Sequence, residues 1–146
     1  MSFYYKCENP EIVENSVIGN GECVTYIRKL GLPQTIKWKM GIKVFGNEIS
    51  KGTIIATFVE GVYPQTAPLD GKSMHAAIFD SINENGEVFV WDQWVGQVVH
   101  KRLIKNRNGE GRRSNDISTF SIVLTDDGEI ETMDLIHNIS LTKVEI

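Results

Sequence analysis

The run Thr53-Ile54-Ile55-Ala56-Thr57-Phe58-Val59 is apolar or β-branched at every position. A strand with one wet face alternates apolar and polar residues, and this one does not. It predicts a strand buried on both faces and central in a sheet. Two further strands follow it, His75-Ala76-Ala77-Ile78-Phe79-Asp80 and Glu87-Val88-Phe89-Val90-Trp91-Asp92. Between them, residues 81–86 end in Asn85-Gly86, a hairpin dipeptide. More strands are predicted at 97–100 and 119–124. Ahead of them all, Cys23, Ile27 and Leu30 recur at helical spacing and Gly31 supplies a stop. A helix followed by an antiparallel meander is an α+β plan, with N-terminal helices packed on one side of an antiparallel sheet. The 146 residues suffice for a single domain, 1–146, with a full core.

The rest of the chain is less patterned. Pro10, Ile12, Val13, Val17 and Ile18 predict a short helix over 10–16 against the core. Ile36, Trp38 and Met40 alternate with Lys37 and Lys39, as in an edge segment, with Trp38 at the core or its rim. Residues 60–74 form a loop marked by Gly61, Tyr63-Pro64, Pro68 and Asp70-Gly71. Residues 101–113 read as a basic loop, either a solvated face or a surface that attracts acidic stems or an acidic inhibitor. Residues 126–146 add an edge strand or hang loose.

The net charge of −4 argues against a general nucleic-acid binder. No apolar run reaches membrane-spanning length, so membrane insertion is not expected. Met1-Ser2-Phe3-Tyr4-Tyr5-Lys6 lacks the pattern of a secretory signal, which predicts a chain made in the cytoplasm. Cys7 and Cys23 are expected as two free thiols, although one disulfide is possible on paper. Two cysteines and three scattered histidines show no zinc spacing, and no cofactor is needed.

Cys23 falls in the first turn of its helix, where unpaired N–H groups favour a thiolate. Glu22 works against this. Gly19 and Gly21 leave room for a substrate backbone. A sulfur nucleophile needs a base and a group that orients it. His75 is the candidate base. Along its strand Asp80 points the opposite way, so the orienting group must come from the partner strand. An even hairpin loop continues the His75 face through Val88, Val90 and Asp92; an odd one, through Phe89, Trp91 and Gln93. The 81–86 loop sets Asp92 directly across from His75, and a tight Asn85-Gly86 turn keeps the same face. Gln93 stays open as the alternative orienter and as a substrate contact.

Residues 19–28, the run 52–58, Tyr63-Pro64, residues 75–79 and Val90-Trp91-Asp92-Gln93-Trp94 occur in an order that resembles the cysteine amidases of the CHAP/NlpC superfamily. They look most like the small peptidoglycan amidase effectors of bacterial type VI secretion. The resemblance covers about 15–124 and leaves 125–146 as an extension. It implies a papain-like fold and gives Cys23, His75 and Asp92 the roles of nucleophile, base and orienter. It also implies hydrolysis of an amide in the peptide stems or cross-links of bacterial peptidoglycan, export into the periplasm of a neighbouring cell, and a cognate immunity protein. The competing functions are a thiol hydrolase of other amides and a silent cell-wall or protein-binding domain of the same fold. Individual residues have plainer readings as well. Cys23 could be a buried apolar residue, His75 a structural histidine and Asp92 a strand end. Tyr63 either lines the substrate groove or anchors the loop at Pro64.

Overall fold

The computed structural model describes residues 1–65 and 74–146. Pro68 and Asp70-Gly71 of the predicted loop lie outside the described residues. The architecture is α+β, with few helices. The strands are β1 (Phe3–Cys7), β2 (Lys39–Lys43), β3 (Ile54–Thr57), β4 (Ala76–Ile82), β5 (Val88–Trp94), β6 (Gln97–Ile104), β7 (Phe120–Leu124) and β8 (Leu141–Glu145). The α-helix α1 spans Cys23–Arg28, and four short 3-10 turns complete the described elements. Six strands form one antiparallel sheet in the order β2-β7-β3-β4-β5-β6.

β3 lies inside the sheet between β7 and β4, and all four of its residues are buried. Its period-two alternation feeds two cores. Ile54 and Ala56 join Ala76, Ile78, Trp91 and Val123 beneath Tyr26, Ile27 and Leu30 of the α1 region. Ile55 joins Ala77, Phe79, Val90 and Ile122 on the other face, covered by Val44, Ile104 and Ile117. This double cover is why β3 carries no polar stripe. The six residues of α1 are too few to be stable alone. Burial of Tyr26 and Ile27 holds it in place. Gly31, at φ +123°, ends the turn that follows, and its carbonyl accepts from the N–H of Glu131 at 2.7 Å.

The hairpin differs from the predicted one. β4 runs to Ile82 and pairs with Val88, so the connecting loop is 83–87 and of odd length. Alone it would turn Gln93 to the His75 face. A bulge at Asp80, between the Phe79–Val90 and Ser81–Phe89 pairs, restores the even parity. Asp80 is buried there, accepting from Trp91 Nε1 at 3.1 Å and from Ser81 Oγ at 2.8 Å. One step beyond the Ile78–Trp91 pair, Asp92 falls opposite Ala77. It is therefore the diagonal neighbour of His75 rather than its direct partner.

Other expectations shift too. The N-terminal helix is a 3-10 turn, Pro10–Val13; Val13 is buried while Ile12 and Val17 are exposed. Trp38 is in the core and donates from Nε1 to the Pro33 carbonyl at 2.9 Å. Lys101 to Ile104 are strand, not loop. The tail forms β8, which pairs antiparallel with β1 in a separate sheet of two strands. Tyr5 of β1 is fully buried; its hydroxyl lies 2.7 Å from Thr125 Oγ1 and donates to the Glu129 carbonyl at 2.9 Å. Among the described residues, no helix is long and apolar enough to cross a membrane.

Candidate active site

The loop that leads into α1 is pinned by Gln93. This side chain is fully buried, and Oε1 accepts from the Ile18 N–H at 2.9 Å. Its Nε2 donates to the carbonyls of Ile18 and Glu22, each at 2.9 Å. Gln93 thus neither faces a substrate nor orients His75, as a sequence reading left open; it fixes the backbone on which Cys23 sits. Asn20 adds a second brace, its Oδ1 accepting from the Glu22 N–H at 3.1 Å and from Thr25 Oγ1 at 2.7 Å. Gly21 is buried at φ +88° and lets the chain turn into the helix. It does not line the cleft.

Cys23 is half-buried and opens into a cleft of about 430 Å³. Tyr63, Met74, His75, Trp94 and Val95 form part of the wall, and Arg102, Arg112, Ser114 and Asn115 line it as well. His75 stands just before β4. Its N–H donates to Thr57 Oγ1 at 2.9 Å and its carbonyl accepts from the Thr57 N–H at 2.9 Å, which fixes the backbone. The ring is buried between the edges of Phe120 and Trp94. Nε2 lies 2.6 Å from Asp92 Oδ2. An ionised carboxylate only accepts, so Nε2 carries the proton and Nδ1 is left for the Cys23 sulfur.

Asp92 is wholly buried. Besides His75 it accepts from Arg102 Nε, at 2.8 Å to Oδ2 and 3.1 Å to Oδ1. Sequence reasoning missed Arg102 by placing it in a loop. The available signal was parity: the Asp92–His100 and Val90–Arg102 pairs put Arg102 on the same face as Asp92. His100 donates from Nδ1 to the backbone carbonyl of Asp92 at 3.1 Å.

These contacts set the protonation states. Burial opposes the charge on His75, but the bond to Asp92 and then the neighbouring Cys23 sulfur outweigh it and push the imidazole up to about 9. Burial likewise raises the Cys23 thiol, yet the His75 ring and the Ala76 N–H bring it below its ordinary 9.0. Burial acts against the Asp92 carboxylate as well, and His75 and Arg102 hold it below the usual range. Tyr63 is buried against Trp38 and Phe58, so it anchors its loop and lines the cleft at once. Its hydroxyl lies by the Cys23 sulfur without meeting hydrogen-bond geometry; burial, then the sulfur's charge, keep it neutral. Cys7 is free, buried and pushed up to about 11 by burial, which leaves it unreactive. Among the described residues, no group of three or more His, Cys, Asp or Glu side chains is placed to hold a metal ion.

A thiol beside an imidazole that is itself fixed by a carboxylate is the arrangement that acyl transfer through sulfur uses. Comparison with known proteins gives three findings. The family model for domesticated amidase effector 2 matches residues 1–123. A Salmonella typhi protein described as a type VI secretion amidase effector 2 protein is 37% identical over 91 residues, covering 60% of this chain. The chain spans 65% of the length of that curated relative. A solved structure of a type 6 secretion amidase effector 2 superposes with a TM-score of 0.67 at 31% identity, covering 88% of this chain and 96% of that one.

Proposed function

Because the chain belongs to the domesticated amidase effector 2 family, we propose that it is a cysteine amidase that hydrolyses an amide bond in the peptide stems or cross-links of bacterial peptidoglycan. The observation that carries the reading is the 2.6 Å contact between His75 Nε2 and Asp92 Oδ2, in a cleft that Cys23 and His75 line together.

In this reading the Cys23 thiolate attacks the amide carbonyl carbon. The backbone N–H of Cys23 is the donor for the oxyanion. As the C–N bond breaks, the His75 imidazolium gives its proton to the leaving amine. The acyl group then rests on sulfur as a thioester. A water molecule, deprotonated by His75, attacks the thioester and releases a carboxylate, which restores thiolate and imidazolium. Asp92 keeps the ring in the tautomer that presents Nδ1 to sulfur and supports its positive charge. Tyr63 forms one wall of the groove. The protein acts as an antibacterial effector, exported by type VI secretion into the periplasm of target cells, and a cognate immunity protein closes the groove in the producing cell.

The test is amine release from purified sacculi, read by labelling new amino groups. The protein should release them and Cys23→Ala should not. Co-sedimentation with sacculi, equal for both proteins and without release, would make this a binding module. Intact sacculi alongside rapid alkylation of Cys23 would point to another amide substrate.

A further inference from the structure

Cys23, His75 and Arg102 line the cleft, and the buried Asp92 accepts from both His75 and Arg102. Counted in the reactive state, Cys23 and Asp92 are negative while His75 and Arg102 are positive, so the cluster is neutral. We propose that Arg102 is a positioning residue whose fixed positive charge lets Asp92 and Cys23 be ionised together. The inference rests on the reading of Cys23 as the nucleophile.

The geometry supports a permanent countercharge. Arg102 Nε bonds both oxygens of Asp92, sharing Oδ2 with His75. The other arms of the guanidinium are tied elsewhere. One terminal nitrogen donates to the Ser114 carbonyl at 2.7 Å and the other to Asn115 Oδ1 at 3.1 Å. The guanidinium carbon also sits 5.2 Å from the centre of the Trp94 ring. Arg102 is held in place by three neighbours besides Asp92, and a guanidinium is a permanent cation in proteins.

Removing that charge leaves a buried cluster with one surplus negative. An unbalanced buried charge is costly, so the cluster takes up a proton. His75 already carries its own. Between the remaining two, the ordinary value of a thiol, 9.0, lies far above that of a carboxylate, 3.8, so the proton goes to sulfur. Other charged or titratable groups face the cluster: Glu22 and Tyr26 from α1 and its cap, Tyr63 from the loop, His100 from β6 and Arg112 from the cleft lining. Glu22 makes the demand for a countercharge larger. His100 comes no nearer to the Asp92 carboxylate than 3.8 Å.

The experiment follows Cys23 ionisation by ultraviolet thiolate absorbance and by the pH dependence of iodoacetamide alkylation, with the modified peptide identified by mass. Arg102→Gln should raise the Cys23 pKa by about 1–3 pH units, an alkylation rate at neutral pH lower by about tenfold or more. Arg102→Lys should recover most of the loss. Asp92→Asn added to Arg102→Gln should bring the Cys23 pKa down again, because the surplus charge is gone. That double variant also keeps the test open should Arg102→Gln alone fail to fold, since it strands no buried charge. A Cys23 pKa that is unchanged in Arg102→Gln, or that stays raised in the double variant, overturns the proposal. If the wild-type protein itself titrates as an ordinary thiol, the nucleophile reading fails instead.

Discussion

Replacing Asp92 with asparagine keeps the shape of the side chain and removes its charge. The rise of His75 from 6.5 to about 9 corresponds to about 3 kcal/mol of preference for the imidazolium. The bond to Asp92 leads the contacts that cause it. Without that charge the ring should titrate lower, held up only by the neighbouring Cys23 sulfur. The amide introduced by Asp92→Asn can also donate to Nε2, which moves the ring proton to the nitrogen facing sulfur. Both changes weaken and misplace the acid that protonates the leaving amine, so hydrolysis should fall by about 10²–10⁴-fold. The thiolate should fare better, because the Asp92 charge acts to raise the Cys23 pKa. Alkylation of Cys23 at neutral pH should therefore stay within about tenfold of wild type, a change of no more than one pH unit. The substitution also strands Arg102, at a cost to folding of about 3 kcal/mol. The assays are amine release from sacculi, alkylation rate, and titration of the His75 ring by NMR on samples shown to be folded. Hydrolysis within a factor of about three, which is under 1 kcal/mol of barrier, together with a His75 ring still titrating near 9, would refute the reasoning.

Stability should depend on pH in two directions. His75 holds its proton more tightly when folded, so its contribution is complete below 6.5 and disappears as pH rises through about 9. Asp92 is the reverse; its contribution is complete above 3.8 and is lost as pH falls through the depressed folded value. Thermal melts should show a plateau between these limits, and a melting temperature that keeps climbing above pH 9 would contradict the His75 assignment. Gln93→Ala leaves the amide partners at Ile18 and Glu22 unpaired and should cost about 2–4 kcal/mol in urea denaturation. It should also slow Cys23 alkylation, because the sulfur loses its fixed mount; an unaltered rate would show that the loop needs no such brace. Tyr5→Phe removes the bonds to Thr125 and Glu129 and should cost about 1–3 kcal/mol by the same assay. Deleting 126–146 strips β8 from β1 and should cost more than that single change, as a lower melting temperature would show.

The sheet was largely legible because β3, β4 and β5 are apolar in ways that leave few alternatives. The carboxylate was reached by a route that the structure does not follow. The assumed loop was even; the real one is odd, and the Asp80 bulge restores the parity. A parity argument has no means to see a bulge, although a charged residue within the apolar run Ala76–Ile82 was its mark. β1 stayed hidden, and β8 was offered only as an edge strand or a loose tail, because their pairing joins the two ends of the chain. Neither strand has an apolar face strong enough to announce itself. Arg102 and Lys101 looked like loop because charge interrupts the hydrophobic pattern of β6. In the structure Arg102 meets the buried Asp92, and Lys101 reaches Asp80 from the surface. Gln93 was misjudged for a related reason: a polar residue beside a catalytic candidate suggests ligand contact, while here it satisfies buried backbone groups.

Mass spectrometry of muropeptides after incubation with the protein tests the central claim most directly. Wild type should convert intact stems or cross-linked dimers into fragments that together gain one water at a single amide bond. Cys23→Ala, equally folded, should leave the muropeptide profile unchanged. The same fragments from the Cys23→Ala protein, or cleavage confined to the glycan strands, would contradict the account.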